Sequence, residues 1–110
     1  QALRQLLKAD PRPTAVLCVT DLMSLGAINA AKSAGLNVPR DLSIVGFDDI
    51  PLAIHIDPPL TTVRQPSRQL GETAANLLLD ILEKKQTTFD PVVLPTQLIL
   101  RGSTAPVRSA

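Results

Sequence analysis

Three features of the sequence predict an α/β fold. Ala15-Val16-Leu17-Cys18-Val19 and Leu42-Ser43-Ile44-Val45-Gly46-Phe47 are continuous apolar runs of strand length, the pattern of parallel strands covered on both faces. A helix-length segment between them carries a start signal at Asp21 and a stop signal at Gly35. A second, longer amphipathic segment follows the strands, so strands and helices alternate along the chain.

Each element has a local cause. Leu3, Leu6 and Leu7 share one face of a helix over residues 1–9, and Asp10-Pro11-Arg12-Pro13 ends it because no helix crosses that pair of prolines. The first strand follows at 15–19. Asp21 stands as the N-cap of a helix over 22–34, with Gly35 at the position after its end and Pro39 just beyond. The second strand completes a βαβ unit, whose crossover is expected to be right-handed. Thr61-Thr62-Val63 reads as a short strand. Pro66 then opens a helix over 66–85, with Leu70, Ala74, Leu77, Leu78 and Ile81 on one face and Lys84 and Lys85 in its last turn. Val92 to Leu94 and Leu98 to Leu100 are extended pieces separated by Pro95 and closed by Arg101-Gly102. Ser103 to Ala110 is small and polar, the composition of a disordered tail.

Composition narrows the function. A chain of 110 residues with 45% hydrophobic content supports one ordinary core. Phe47 and Phe89 are its only aromatics, too few for base stacking. A net charge of +1, from 11 basic and 10 acidic residues, creates no field that draws the chain to phosphate backbones or to a membrane surface. Cys18 is the one cysteine, which rules out an internal disulfide or a multi-cysteine metal site and leaves a small buried hydrophobe. No apolar run approaches the roughly 18 residues of a membrane span. The chain opens at Gln1, without a methionine and inside an amphipathic stretch, as expected of a portion of a longer protein.

In open parallel sheets ligands bind beyond the carboxyl ends of the strands. That rule selects Thr20-Asp21 after the first strand and Asp48-Asp49 after the second, a hydroxyl and carboxylates suited to sugar or nucleoside hydroxyls and to amines. Asp21 also serves as an N-cap, and Asp49 as the start of a turn before Pro51. Asp48 has no such local duty and is the preferred ligand contact. A Mg²⁺ phosphotransferase would need an Asp-x-Asp pair or a lysine after a later strand, and neither is present. His55, the sole histidine, has no nucleophile elbow beside it and reads as a surface-loop residue. No catalytic residue, metal or cofactor is expected.

Thr14-Ala15-Val16 leads to Thr20-Asp21-Leu22-Met23-Ser24-Leu25-Gly26-Ala27, then Gly35-Leu36-Asn37-Val38-Pro39-Arg40-Asp41 runs on to Gly46-Phe47-Asp48-Asp49. Pro58-Pro59-Leu60-Thr61-Thr62-Val63-Arg64-Gln65-Pro66 and Leu70-Gly71 follow, and the series ends in Leu94-Pro95-Thr96-Gln97-Leu98 and Arg101-Gly102-Ser103-Thr104. In these linked motifs the chain resembles the C-terminal core of LacI/GalR-family transcription regulators. The resemblance implies a periplasmic-binding-protein-like (type I) fold of two α/β lobes with an effector cleft, of which this chain is the C-terminal portion. Residues 1–104 would form the effector-binding and dimerisation core, with 1–60 mainly in the C-terminal lobe, 61–94 mainly returning to the N-terminal lobe, and 105–110 as a tail. Effector contacts carried over by the resemblance are Asp48, Gln65 and Thr20. Gln65 is alternatively the N-cap of helix 66–85, and many relatives have Asn where Thr20 stands.

The implied protein is a cytoplasmic repressor that senses a small polar effector and binds operator DNA through a helix-turn-helix absent from this chain. A periplasmic-type solute-binding protein for sugar transport is the alternative. Helix 22–34, at roughly 100° per residue, places Met23, Gly26, Ala27, Ala30, Ala31 and Ala34 toward the sheet. Leu22, Leu25, Ile28 and Asn29 then face outward. With His55 and Ile56 these form the homodimer interface that the resemblance implies.

Overall fold

The computed structural model describes residues 1–84, 88 and 90–107; Lys85, Phe89 and residues 108–110 of the expected tail lie outside them. The elements are α1 (Ala2–Leu6), β1 (Ala15–Leu17), α2 (Asp21–Ser33), β2 (Ser43–Asp48), a 3-10 turn (Pro51–Ile54), β3 (Thr61–Arg64), α3 (Ser67–Lys84) and β4 (Gln97–Ile99). They divide into two compact units, residues 1–64 with the chain from 97 onward, and residues 65–96.

The first unit is built on one sheet of order β1-β2-β3-β4. β1 pairs parallel with β2 (Leu17 opposite Val45), and β2 pairs parallel with β3 (Phe47 opposite Val63). β4 runs antiparallel to β3, with Leu98 opposite Val63, so the expected all-parallel sheet has one antiparallel edge strand. Val92 to Leu94 lies outside the sheet. Thr61–Arg64 is in register with β2, and the second unit begins at Gln65.

α2 packs on β2, and its ends are set by hydrogen bonds. The N-cap is Thr20, not Asp21: Thr20 has extended backbone, and its Oγ1 accepts from the Met23 N–H at 3.2 Å. At the other end Gly35, with φ of 76°, permits two closing bonds, Gly35 N–H to Lys32 O and Leu36 N–H to Ala31 O. The helix turns Ser24, Ala27, Ile28 and Ala31 into the protein, an i, i+3, i+4, i+7 face that seals against Leu42, Ile44, Ala53, Ile56 and Leu60.

This face corrects the expected one. Ile28, assigned to an outer stripe, is only 1% exposed and central to the core, while Met23 and Gly26 are exposed. Ile56, assigned to the interface, is also a core residue. The face is displaced because Asp21 and Ser24 are buried by hydrogen bonding, which a count of apolar residues does not register.

The expected tail is corrected as well. Ser103 is fully buried: its Oγ accepts the Thr61 N–H at 2.8 Å and donates to Ile44 O at 2.6 Å, while its carbonyl accepts the Ile44 N–H. Ser43 and Ala105 exchange further bonds, so the chain stays docked on the sheet through Ala105.

In the second unit α3 begins behind Pro66, whose carbonyl accepts the Leu70 N–H. Pro66 thus occupies the backbone cap position, and the carbonyl of Gln65 before it accepts the Ser67 N–H. Leu70, Leu78, Leu79, Ile81 and Leu82 are exposed. No described helix is long and apolar enough to cross a membrane.

Candidate functional site

Strand register brings two of the candidate residues to one end of the sheet. Thr20 and Asp48 each lie three residues past the paired Leu17 and Val45, at the carboxyl ends of β1 and β2. Both are half-buried. Here β2 ends in an uncommon turn: Asp48 has φ of 115° and Asp49 φ of 54°. Non-glycine residues held at such angles cost on the order of 1–3 kcal/mol each and persist only where the surroundings fix them.

The surroundings are a network of short bonds. Arg64 Nε donates to Asp49 Oδ2 and Arg101 Nη2 to Asp49 Oδ1, both at 2.6 Å. The Asp49 N–H reaches Thr62 Oγ1 at 3.4 Å, and the Ile50 N–H donates to Asp21 Oδ2 at 2.9 Å. Thr62 Oγ1 donates to the other Asp21 oxygen at 2.6 Å. Arg101 is itself tied down, with Nη1 donating to Leu60 O and its N–H to Thr61 Oγ1, both at 2.9 Å. Burial raises the Asp49 pKa, but the hydrogen bonds and charges of Arg101 and Arg64 outweigh it and hold the carboxyl below its ordinary value.

Asp21, a candidate effector contact, is withdrawn. It is fully buried and both its oxygens accept internal bonds, so it is a structural carboxylate inside the sheet–helix junction. Its presence explains Gly46 of the Gly46-Phe47-Asp48-Asp49 motif. A Cβ at Gly46 would collide with the Asp21 carboxylate and meet Leu60 Cδ2 and Ser24 Oγ at 2.9 Å.

Asp48 and Thr20 thus remain together at the strand ends, and Gln65 is the half-buried first residue of the other unit. Among the expected interface residues Leu22, Asn29 and His55 are exposed, and Leu25 is half-buried against the core. Sequence reasoning missed Arg101, Thr62 and Ser103. Their only signal was their position inside the resembling motifs, because a charged or hydroxyl side chain carries no periodic mark of burial.

Hollows away from this site include two along β1 and β2. One of about 410 Å³ opens at the amino-terminal ends of β1 and β2, lined by Arg12, Pro39, Arg40 and Asp41 among others. There the Asn37 N–H, Arg40 and the Asn37 amide all donate to Asp41, holding it well below the usual carboxylate range and locking the Asn37-to-Asp41 turn. The other, of about 330 Å³, is apolar and runs along β1 between Leu3, Leu6, Cys18, Met23 and Ala30. Leu17 and Val19 are 71% and 74% exposed on that strand, and Cys18 between them is buried, as expected.

The periplasmic binding protein-like domain family matches residues 1–104. The transcriptional repressor CytR of Escherichia coli K12 is 47% identical over 104 residues, covering 94% of this chain and 30% of that protein. A LacI family regulator from Enterococcus faecium, solved with bound ribose, superposes with a TM-score of 0.84 at 35% identity, over 98% of this chain and 40% of that one. The lac repressor dimer bound to operator and the anti-inducer ONPF gives a TM-score of 0.83 at 39% identity, over 94% and 36%. The chain therefore spans about a third of the regulators it matches. It belongs to the periplasmic binding protein-like domain family and corresponds to the C-terminal part of the effector-binding core of LacI-type transcriptional repressors.

Proposed function

We propose that this chain is the effector-sensing and dimerisation part of a cytoplasmic LacI-type regulator, and that its effector is a small polar molecule of the sugar or nucleoside class. The observation that carries this reading is Asp48: a half-buried carboxylate on a positive-φ turn at the carboxyl end of a parallel strand, level with Thr20 at the end of the neighbouring strand. A carboxylate there accepts a pair of hydroxyl hydrogen bonds, and Thr20 adds a hydroxyl. Gln65 is kept as a further proposed contact on the resemblance. The bound ribose of the Enterococcus faecium regulator supports the sugar class, and the lac repressor dimer on its operator supports assembly and DNA binding.

No catalytic role is proposed. Effector binding shifts the balance between two arrangements of the regulator, and operator affinity follows through a helix-turn-helix outside these residues. The test is calorimetric titration of the full-length regulator with ribose and the ribonucleosides. A charge-assisted hydrogen bond contributes about 1.5–3 kcal/mol, so Asp48→Ala is expected to weaken the binding compound at least tenfold. Unchanged affinity in that variant would remove Asp48 from the site.

A further inference from the structure

We infer that Arg101, from the chain beyond β4, is a positioning residue for the effector site: it holds Asp49 and, through Asp49, the turn that presents Asp48. The inference rests on the reading of Asp48 as an effector contact. Asp48 lies between two fixed points. On one side β2 is locked into the sheet, and on the other Asp49 and Ile50 are bonded through their N–H groups to Thr62 and Asp21. The Asp49 carboxylate adds a side-chain anchor at the second of the two positive-φ residues, each of its oxygens taking one arginine.

The arginines are not equivalent. The Arg64 side chain is 52% exposed, where water and salt weaken its pair, whereas Arg101 is 14% exposed against an Asp49 side chain that is 5% exposed. Arg101 also spans two points, Asp49 Oδ1 through Nη2 and the Leu60 carbonyl through Nη1, which fixes the fork in one orientation. A lysine ammonium keeps the charge but lacks that planar fork. The arginine's geometry, and not its charge alone, thus sets the turn.

The test compares Arg101→Gln, Arg101→Lys, Arg64→Gln and Asp49→Gly by amide hydrogen exchange and by the carboxyl ¹³C resonance of Asp48. D-ribose binding in the full-length regulator is the affinity probe. Arg101→Gln and Arg101→Lys are expected to speed exchange at Asp49 and Ile50 at least tenfold and to move the Asp48 resonance, while Val16 and Ile44 stay protected. Arg64→Gln is expected to do neither.

Asp49→Gly relaxes the backbone but removes the clamp, so it is expected to behave like the Arg101 variants. Native exchange and an unmoved Asp48 resonance in the Arg101 variants overturn the proposal. So does equal loss of protection across β2 and α2 in both of them, because Arg101 then only stabilises the fold. Ribose binding that is insensitive to Asp48→Ala, with the Asp48 resonance still moved by Arg101→Lys, defeats the effector reading and leaves the positioning role standing.

Discussion

α2 and α3 carry their apolar residues in opposite ways. In the first unit α2 scatters its apolar residues, Leu22, Met23, Leu25 and Ile28 among alanines, around the helix, yet its inner face is sealed against the sheet around Ile28 and Ala31. In the second unit α3 has a clean apolar stripe, and Leu70, Leu78, Leu79, Ile81 and Leu82 are exposed. An amphipathic pattern says that a helix has a face to bury, not what buries it. The chain spans about a third of the regulators it matches. Most helical stability comes from such packing and not from propensity.

The comparison is broken most directly by truncating one residue in each helix. Ile28→Ala leaves a cavity in a closed core and is expected to cost about 2–5 kcal/mol. Leu78→Ala on an exposed face is expected to stay within about 0.5 kcal/mol. Urea denaturation of this chain followed by circular dichroism measures both. Comparable costs would mean that α3 buries its stripe in solution and that the two helices do not differ.

What was legible follows from the same contrast. The element order and the stop at Gly35 were readable because they depend on backbone chemistry written locally: prolines, a glycine at positive φ, unbroken apolar runs. The buried face of α2 was not. Asp21 and Ser24 are polar by composition but interior by virtue of Thr62 and the Thr20 carbonyl, the first of them 41 residues away. Ser103 read as tail for the same reason, its partners being Thr61 and Ile44. Among the candidate site residues, Asp48 and Thr20 were selected by the strand-end rule, and both lie at the carboxyl ends of their strands. The clamp of Arg64 and Arg101 on Asp49 was not legible, since ion pairs between distant segments leave no spacing to detect.

Acid sharpens the comparison in a second way. The Asp49 carboxyl is held below its ordinary value, so the stability it contributes is complete above the unfolded pKa of about 3.9 and is lost as the pH falls through the lower folded value. Asp49→Asn is therefore expected to be less stable than the wild type at pH 7, with the difference shrinking as the pH falls toward 3. In the second unit the pair of Arg68 and Glu72, at 2.8 Å, is exposed on both sides, and such pairs contribute only about 0.3–0.5 kcal/mol. Glu72→Gln should thus leave the acid limb of the stability curve nearly unchanged. An acid limb flattened more by Glu72→Gln than by Asp49→Asn would reverse the ranking of the two units.

The smallest effect on the fold is expected at Leu22, and its interest lies in assembly. With Ile28 and Ile56 in the core, the proposed dimer surface of α2 contracts to Leu22, Asn29 and the outer edge of Leu25, with His55 nearby in sequence from the 3-10 turn. Leu25 is a poor probe because it also packs on the core, so a charge there would disturb both fold and interface. Leu22 is 63% exposed, and Leu22→Lys is expected to change the stability of this chain by no more than about 0.5 kcal/mol. In a two-fold dimer the same substitution counts twice. Burying one leucine contributes about 1.5–3 kcal/mol, so two lost contacts weaken association by two to four orders of magnitude, roughly 3–6 kcal/mol. Sedimentation velocity of the full-length regulator at low micromolar concentration is expected to show dimer for the wild type and monomer for Leu22→Lys, with the circular dichroism unchanged. A variant that remains dimeric would show that α2's outer side is covered by the regulator's own chain, and the first unit would then resemble the second in exposing a face that only the longer protein closes.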